Sequence, residues 1–171
     1  MARFNAASTD EAIHTLLTCL NSHHWAHRLA SHRPYPDLPS LLAAADEAAY
    51  DLSPDDLTEA LATEVLPPLP EDTYAAAHTA LSAATAAYER RFGHAFVICL
   101  DGMPANEALD HVLAGIRSRL TNDPDEERLV ALEELRLLTR GRLTRLPGAR
   151  GTARPATDHP RPANHPNPPP Q

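Results

Sequence analysis

Histidine is the usual acid/base side chain near neutral pH, so the ten histidines are considered first. His23, His24 and His27 fall close together in one predicted helix, and His23 and His27 stand four apart. That spacing places two imidazoles on one helical face, where they could ligate a metal. No Glu follows His23 as in a metalloprotease helix, and the sequence offers no third ligand, so the competing reading is a solvated His-rich face. Cys19 and Cys99 stand alone in apolar surroundings, where buried inert thiols are the simpler reading. Adjacent acids such as Asp55-Asp56 and Glu133-Glu134 read as helix-end or surface charges before they read as catalytic pairs. The chain contains no Gly-rich phosphate loop, no nucleophile elbow and no CxxC pair. These residues alone specify a soluble helical domain.

The elements that would position such groups follow from composition and periodicity. The 171 residues are 43% hydrophobic, 22% charged and only 5% aromatic, which suits one globular domain with a Leu, Ala and Val core. All 15 basic residues are Arg, and the net charge is −8, which argues against nucleic acid as a partner. No apolar run reaches the roughly 20 residues of a membrane span, and the start of the chain does not read as a secretory signal. Two cysteines make no disulfide framework, so the expectation is a cytoplasmic protein with free thiols. Residues 147–171 carry three Arg and one Asp, hence +2, which leaves −10 for the rest. This stretch has no Leu, Ile, Val or aromatic side chain, and it reads as a disordered Pro-rich tail. The working domain is residues 1–146.

Ser8-Thr9-Asp10-Glu11 is a capping box opening a helix that carries Ala12, Ile13, Leu16, Leu17 and Leu20 on one face. A second helix is expected from Ser22 to about His32, broken by Arg33-Pro34-Tyr35-Pro36. A third starts at Pro39 or Ser40 and runs to about Tyr50. Ser53-Pro54-Asp55-Asp56 signals the next, to about Glu64, and Leu66-Pro67-Pro68-Leu69-Pro70 forms a rigid linker. A long helix over 71–91 ends at Gly93. Phe96-Val97-Ile98-Cys99 suits a short strand or a buried extended stretch. Helical spacing resumes over 104–120, and Asn122-Asp123-Pro124 starts a last helix to about Leu146. The expected fold is an all-α, single-domain bundle of about seven helices with at most one short strand.

Several of these stretches, in order, resemble the decarboxylases that act on 2-oxo-4-hydroxy-4-carboxy-5-ureidoimidazoline (OHCU). The matching pieces begin with Phe4-Asn5, then Cys19, Ser22 and Trp25 leading to Arg33-Pro34-Tyr35, and residues 41–49 and 57–62. Ala87-Tyr88-Glu89 with Arg91-Phe92-Gly93 leads into Phe96-Val97-Ile98-Cys99. Arg119-Leu120 with Asn122, Glu126 or Glu127, and finally Arg142-Leu143, close the pattern. The Tyr-Glu-x-x-Phe-Gly segment followed by Arg-Leu-x-Asn is its most specific part. The resemblance implies an all-α cytoplasmic enzyme of urate degradation, often a homodimer, needing neither cofactor nor metal. The reaction it implies is loss of carbon dioxide followed by protonation of a ring carbon on one face, giving (S)-allantoin. A His in a His-Pro pair is the family's expected proton donor, and a Ser-x-x-Glu-Gln segment its expected orienting group. Backbone groups after Phe-Gly hold the ureido side, which here maps to Phe96, Val97, Ile98, Cys99 and Leu100.

The sequence departs from this pattern at the chemistry. By register Glu64-Val65 stands where the His-Pro pair belongs, and no His occurs between His32 and His78. Residues 66–72, LPPLPED, contain neither Ser nor Gln, so Glu71 is the stand-in for the family's Glu. Glu64 is the candidate acid, although an ordinary Glu is ionised at neutral pH. His159-Pro160-Arg161 repeats the missing text, but in the wrong order along the chain. Arg33, Arg119 and Arg142 stand at family-like positions, each able to face a carboxylate or to pair with an acid of the fold. Two readings remain open: a decarboxylase with a different proton donor, or a catalytically impaired relative that binds a purine-derived ligand or a protein. The enzyme reading expects a pocket lined by the Glu64 region and residues 96–100.

Overall fold

The computed structural model describes residues 1–66 and 75–147, which form eight helices. In chain order they are α1 (Ala2–Ala6), α2 (Thr9–Leu17), α3 (His23–Ser31), α4 (Leu38–Tyr50), α5 (Pro54–Leu61), α6 (Ala75–Phe92), α7 (Ala105–Arg119) and α8 (Pro124–Arg145). The all-α expectation holds, with one more helix than the pattern suggested: α1 is five residues long, too short to show a hydrophobic period. Residues 67–74 and 148–171 lie outside the described part, and with them Glu71, the Pro-rich linker and nearly all of the tail.

The helix starts are local chemistry. Ser8 Oγ accepts from the Glu11 amide at 3.3 Å while Glu11 Oε2 accepts from the Ser8 amide at 2.9 Å, closing the capping box that opens α2. Ser53 and Asp56 repeat the arrangement at α5, with Pro54 in its first turn. Asp37 caps α4, and Asp123 caps α8 by accepting from two amides, each at 2.9 Å. α6 ends at Gly93, whose φ of +76° is a left-handed conformation that a side chain would strain. α5 stops at Leu61, earlier than the periodicity suggested, and leaves Glu64 on the turn beyond it.

Two apolar clusters make the interior. The larger joins Leu16 of α2, Trp25 and Leu29 of α3, Leu41 of α4, Leu61 of α5 and Leu135 and Leu143 of α8. Trp25 is fully buried, and its indole N–H donates to the Ala45 carbonyl at 3.1 Å. The smaller joins Tyr88 of α6, Phe96, Ile98, and Val112 and Ile116 of α7.

Residues 96–98 run between the clusters. Phe96 and Ile98 point into the smaller one and Val97 into the larger, the alternation of an extended chain. No strand is present among the described residues, because the segment's polar groups bond side chains instead of a neighbouring strand. Gly115 on α7 lets it approach: a Cβ there would lie 3.2 Å from Ile98 Cδ1 and 3.4 Å from Phe96 Cζ.

Candidate functional site

The most specific part of the sequence pattern turns out to be a buried polar network. Arg119 at the end of α7 directs Nε and Nη2 to Glu127 Oε1 at 2.8 and 2.6 Å. Its Nη1 donates to the Val97 carbonyl at 2.6 Å, and its guanidinium lies 4.5 Å from the Phe96 ring centre. Tyr88 donates its hydroxyl to the same Glu127 oxygen, and Asn122 Nδ2 donates to the other at 2.9 Å. Glu127, rather than Glu126, is the partner, and it is fully buried. Burial and the hydrogen bond to Glu127 push the Tyr88 phenol well above its ordinary value. Tyr88, Arg119, Asn122 and Glu127 thus fix the extended segment and the junction of α6, α7 and α8.

Arg33 has a comparable structural role. Its Nε donates to the Ala30 carbonyl at 3.1 Å, and Nη1 donates to the carbonyls of Phe4 at 2.9 Å and Ala7 at 2.8 Å. It therefore satisfies carbonyls near the ends of α1 and α3. Asn5 closes the same corner by bonding both the amide and the carbonyl of Tyr35.

The third family-like arginine meets Glu64. Arg142, in the last turns of α8, forms a two-pronged ion pair with Glu64, at 2.7 Å from each Nη to each carboxylate oxygen. Nη1 also donates to the Cys19 carbonyl at 3.0 Å. Glu64 is 8% exposed, while the Arg142 side chain is one-third exposed, so the arginine is the more accessible member of the pair. Hydrogen bonding to Glu64 raises the Arg142 guanidinium above its ordinary value. Burial pushes the neighbouring Cys19 thiol up, so it stays neutral near pH 7.

The remaining candidates are spread along one path. Leu66, two residues past Glu64, packs against the smaller cluster, and so does Leu100; Phe96 and Ile98 lie within it. Val97 has its carbonyl on Arg119 and its side chain in the larger cluster. The Cys99 amide donates to Glu134 Oε2 of α8 at 2.7 Å. Asp101 then pairs with Arg145, and a Cβ at Gly141 would collide with its carboxylate. Residues 97–101 therefore run alongside α8 and approach the turn that carries Arg142.

Sequence reasoning named Glu64 and Arg142 but not their pairing, and it read Glu134 only as a helix-end or surface charge. An ion pair across 78 residues leaves no local signature. The expected pocket is not matched by the cavity found here, of about 730 Å³. That cavity opens between α1, α2, Leu41, Leu146 and Pro147, and neither Glu64 nor residues 96–100 line it. His23 and His24 of α3 face Glu59 and Asp56 of α5 at 3.9 and 3.6 Å; the two histidines are exposed and the two acids partly buried. Among the described residues no group of three or more His, Cys, Asp or Glu side chains is gathered to hold a metal ion.

Comparison with known proteins places this geometry. Several solved structures share the fold, two of them as follows. A crystal structure of OHCU decarboxylase in the presence of (S)-allantoin superposes with a TM-score of 0.66 at 21% identity, over 82% of this chain and 98% of that one. A crystal structure of (S)-allantoin synthase superposes with a TM-score of 0.63 at 20% identity, over 83% of this chain. The chain spans 52% of the length of that second protein. No curated protein matches by sequence. The family model for OHCU decarboxylase matches residues 5–64 and 69–144, a stretch that holds the Tyr88–Arg119–Glu127 network and both members of the Glu64–Arg142 pair. The chain belongs to the OHCU decarboxylase family.

Proposed function

We propose that this protein decarboxylates OHCU to (S)-allantoin in urate degradation, with Arg142 as the clamp for the substrate carboxylate. The observation that carries this reading is the two-pronged pairing of Arg142 with a carboxylate at the register of the family's proton donor. A fork that holds the Glu64 carboxylate in this way has the shape and charge to hold a substrate carboxylate. The Cys19 carbonyl keeps Nη1 in place, so the fork is preorganised. The C–C bond to the held carboxylate breaks, carbon dioxide leaves, and the electron pair passes to the ring carbon. A proton must then reach that carbon from one side. Glu64 is the residue positioned to deliver it, and Glu71 is the second acid assigned to this reading. Backbone groups of residues 96–100 are assigned to the ureido side, as the Cys99 amide on Glu134 suggests. The reading needs no cofactor and carries a cytoplasmic homodimer with it.

A second reading is favoured by one specific observation: both oxygens of Glu64 are already engaged by Arg142. If that pair never opens, the chain is a ligand-binding or protein-interaction relative without catalysis. A coupled assay separates the two. OHCU is generated enzymatically from urate, the protein is added, and (S)-allantoin is followed by circular dichroism. Acceleration over the spontaneous rate, lost in Arg142→Met, is the expected result. A wild-type rate no faster than the spontaneous one leaves the binding-module reading.

A further inference from the structure

We propose that Glu64 is a proton-loading acid: a carboxylate ligand that takes the Arg142 fork displaces Glu64, and the displaced carboxylate takes up one proton from water. The inference rests on the proposed carboxylate clamp and names how its proton donor is charged.

Three features of the geometry lead to it. Arg142 is carried by a 22-residue helix and is tied to the Cys19 carbonyl as well as to Glu64, so it stays in place when Glu64 leaves. Glu64 sits on the turn beyond α5 and precedes Val65, which is 83% exposed, so its own anchor is the softer of the two. The Arg142 side chain is one-third exposed and that of Glu64 only 5%, so an incoming ligand meets the arginine before it meets the acid.

The charge balance supplies the rest. The resting pair is neutral. After exchange, two carboxylates share one guanidinium in a site where Glu64 is largely enclosed. Among the described residues, the groups that face Glu64 are Arg142 from α8 and, through Arg142, the Cys19 residue after α2. Among the described residues, Arg142 is the cation paired with Glu64, and the Cys19 thiol beside it adds no charge. An enclosed carboxylate without a counter-charge neutralises by binding a proton. This removes the difficulty that an ordinary Glu has no proton to give at neutral pH.

Each cycle then consumes one proton, which solvent supplies when the carboxylate ligand binds. The substrate's C–C electron pair moves to the ring carbon as carbon dioxide departs. The O–H of Glu64 breaks, its proton bonds that carbon, and the restored carboxylate pairs again with the vacated fork. Atoms and charge balance, and the face of protonation is the face that Glu64 occupies.

The test is calorimetric titration at about pH 7 in two buffers of different ionisation enthalpy, which counts the protons taken up on binding. The ligands are allantoate, a ureido carboxylate, and (S)-allantoin, which has no carboxylate. The wild-type protein is expected to take up close to one proton per allantoate and none with (S)-allantoin. Glu64→Gln is expected to bind allantoate at least tenfold more tightly, because the internal competitor is gone, with no proton uptake. No uptake by the wild type overturns the proposal without recourse to any variant. So does uptake that persists in Glu64→Gln, or a failure of allantoate to bind either protein. Uptake without acceleration in the coupled assay keeps this inference and removes the decarboxylase reading. Acceleration without uptake does the reverse.

Discussion

Replacing Arg119 by Met tests whether the buried network holds the two halves of the fold together. Glu127 is fully buried and accepts from both Nε and Nη2 of Arg119, from Tyr88 and from Asn122. Met retains much of the arginine stem but leaves the carboxylate with no positive partner. Breaking a buried pair from one side costs about 3–5 kcal/mol, because the remaining charge is uncompensated. The Val97 carbonyl loses its donor as well, and Phe96 loses the cation above its ring. For a domain of this size the loss corresponds to a fall in Tm of roughly 10–15 °C, or about 2 M in the urea midpoint. Glu127→Gln in the Arg119→Met background is the decisive arm. The neutral amide can still bond Tyr88 and Asn122 but carries no charge, so it is expected to restore about 1–3 kcal/mol. Urea unfolding followed by helical circular dichroism measures both, provided the slope is unchanged. A single-variant loss below about 1 kcal/mol, or a double variant no more stable than the single, refutes the argument that an uncompensated buried charge is the dominant cost.

Two further outcomes follow from the same packing. Burial holds the phenols of Tyr88 and Tyr35 above their ordinary values, so their contribution to stability is complete below about pH 10 and is lost as pH rises beyond it, at roughly 1.4 kcal/mol per pH unit for each group. Phenolate absorbance is therefore expected to show these two titrating together with loss of helical signal, and full ionisation with the helices intact would contradict it. Gly115→Leu is expected to cost about 1–3 kcal/mol in urea unfolding, since a Cβ alone already meets Ile98 at 3.2 Å and a longer side chain must push the extended segment off α7. A variant as stable as the wild type would show that residues 96–98 are not wedged there.

The fold was legible wherever the signal was local. The Ser8-Glu11 and Ser53-Asp56 boxes, Asp123-Pro124 and Gly93 mark helix ends by short-range bonding that neighbouring residues encode. The five-residue α1 was not legible, because it is shorter than two turns and has no buried residue of its own. The short apolar run at 96–99 was ambiguous for a physical reason. Its side chains alternate as in a strand, yet what satisfies its backbone is Arg119 and Glu134, which lie 22 and 35 residues away from the groups they bind.

The same limit explains why the site was only half legible. Read singly, Glu64 is an acid with no proton to give, and Arg142 is one of 15 arginines. Read as a pair, they form a switch. Each member neutralises the other, and on the proposal above a carboxylate that takes the fork leaves Glu64 to bind a proton. On this argument the substitution at position 64 need not end proton transfer, provided the arginine 78 residues away stays anchored by the Cys19 carbonyl. The chemistry of residue 64 thus depends on the helix that faces it as much as on its own side chain.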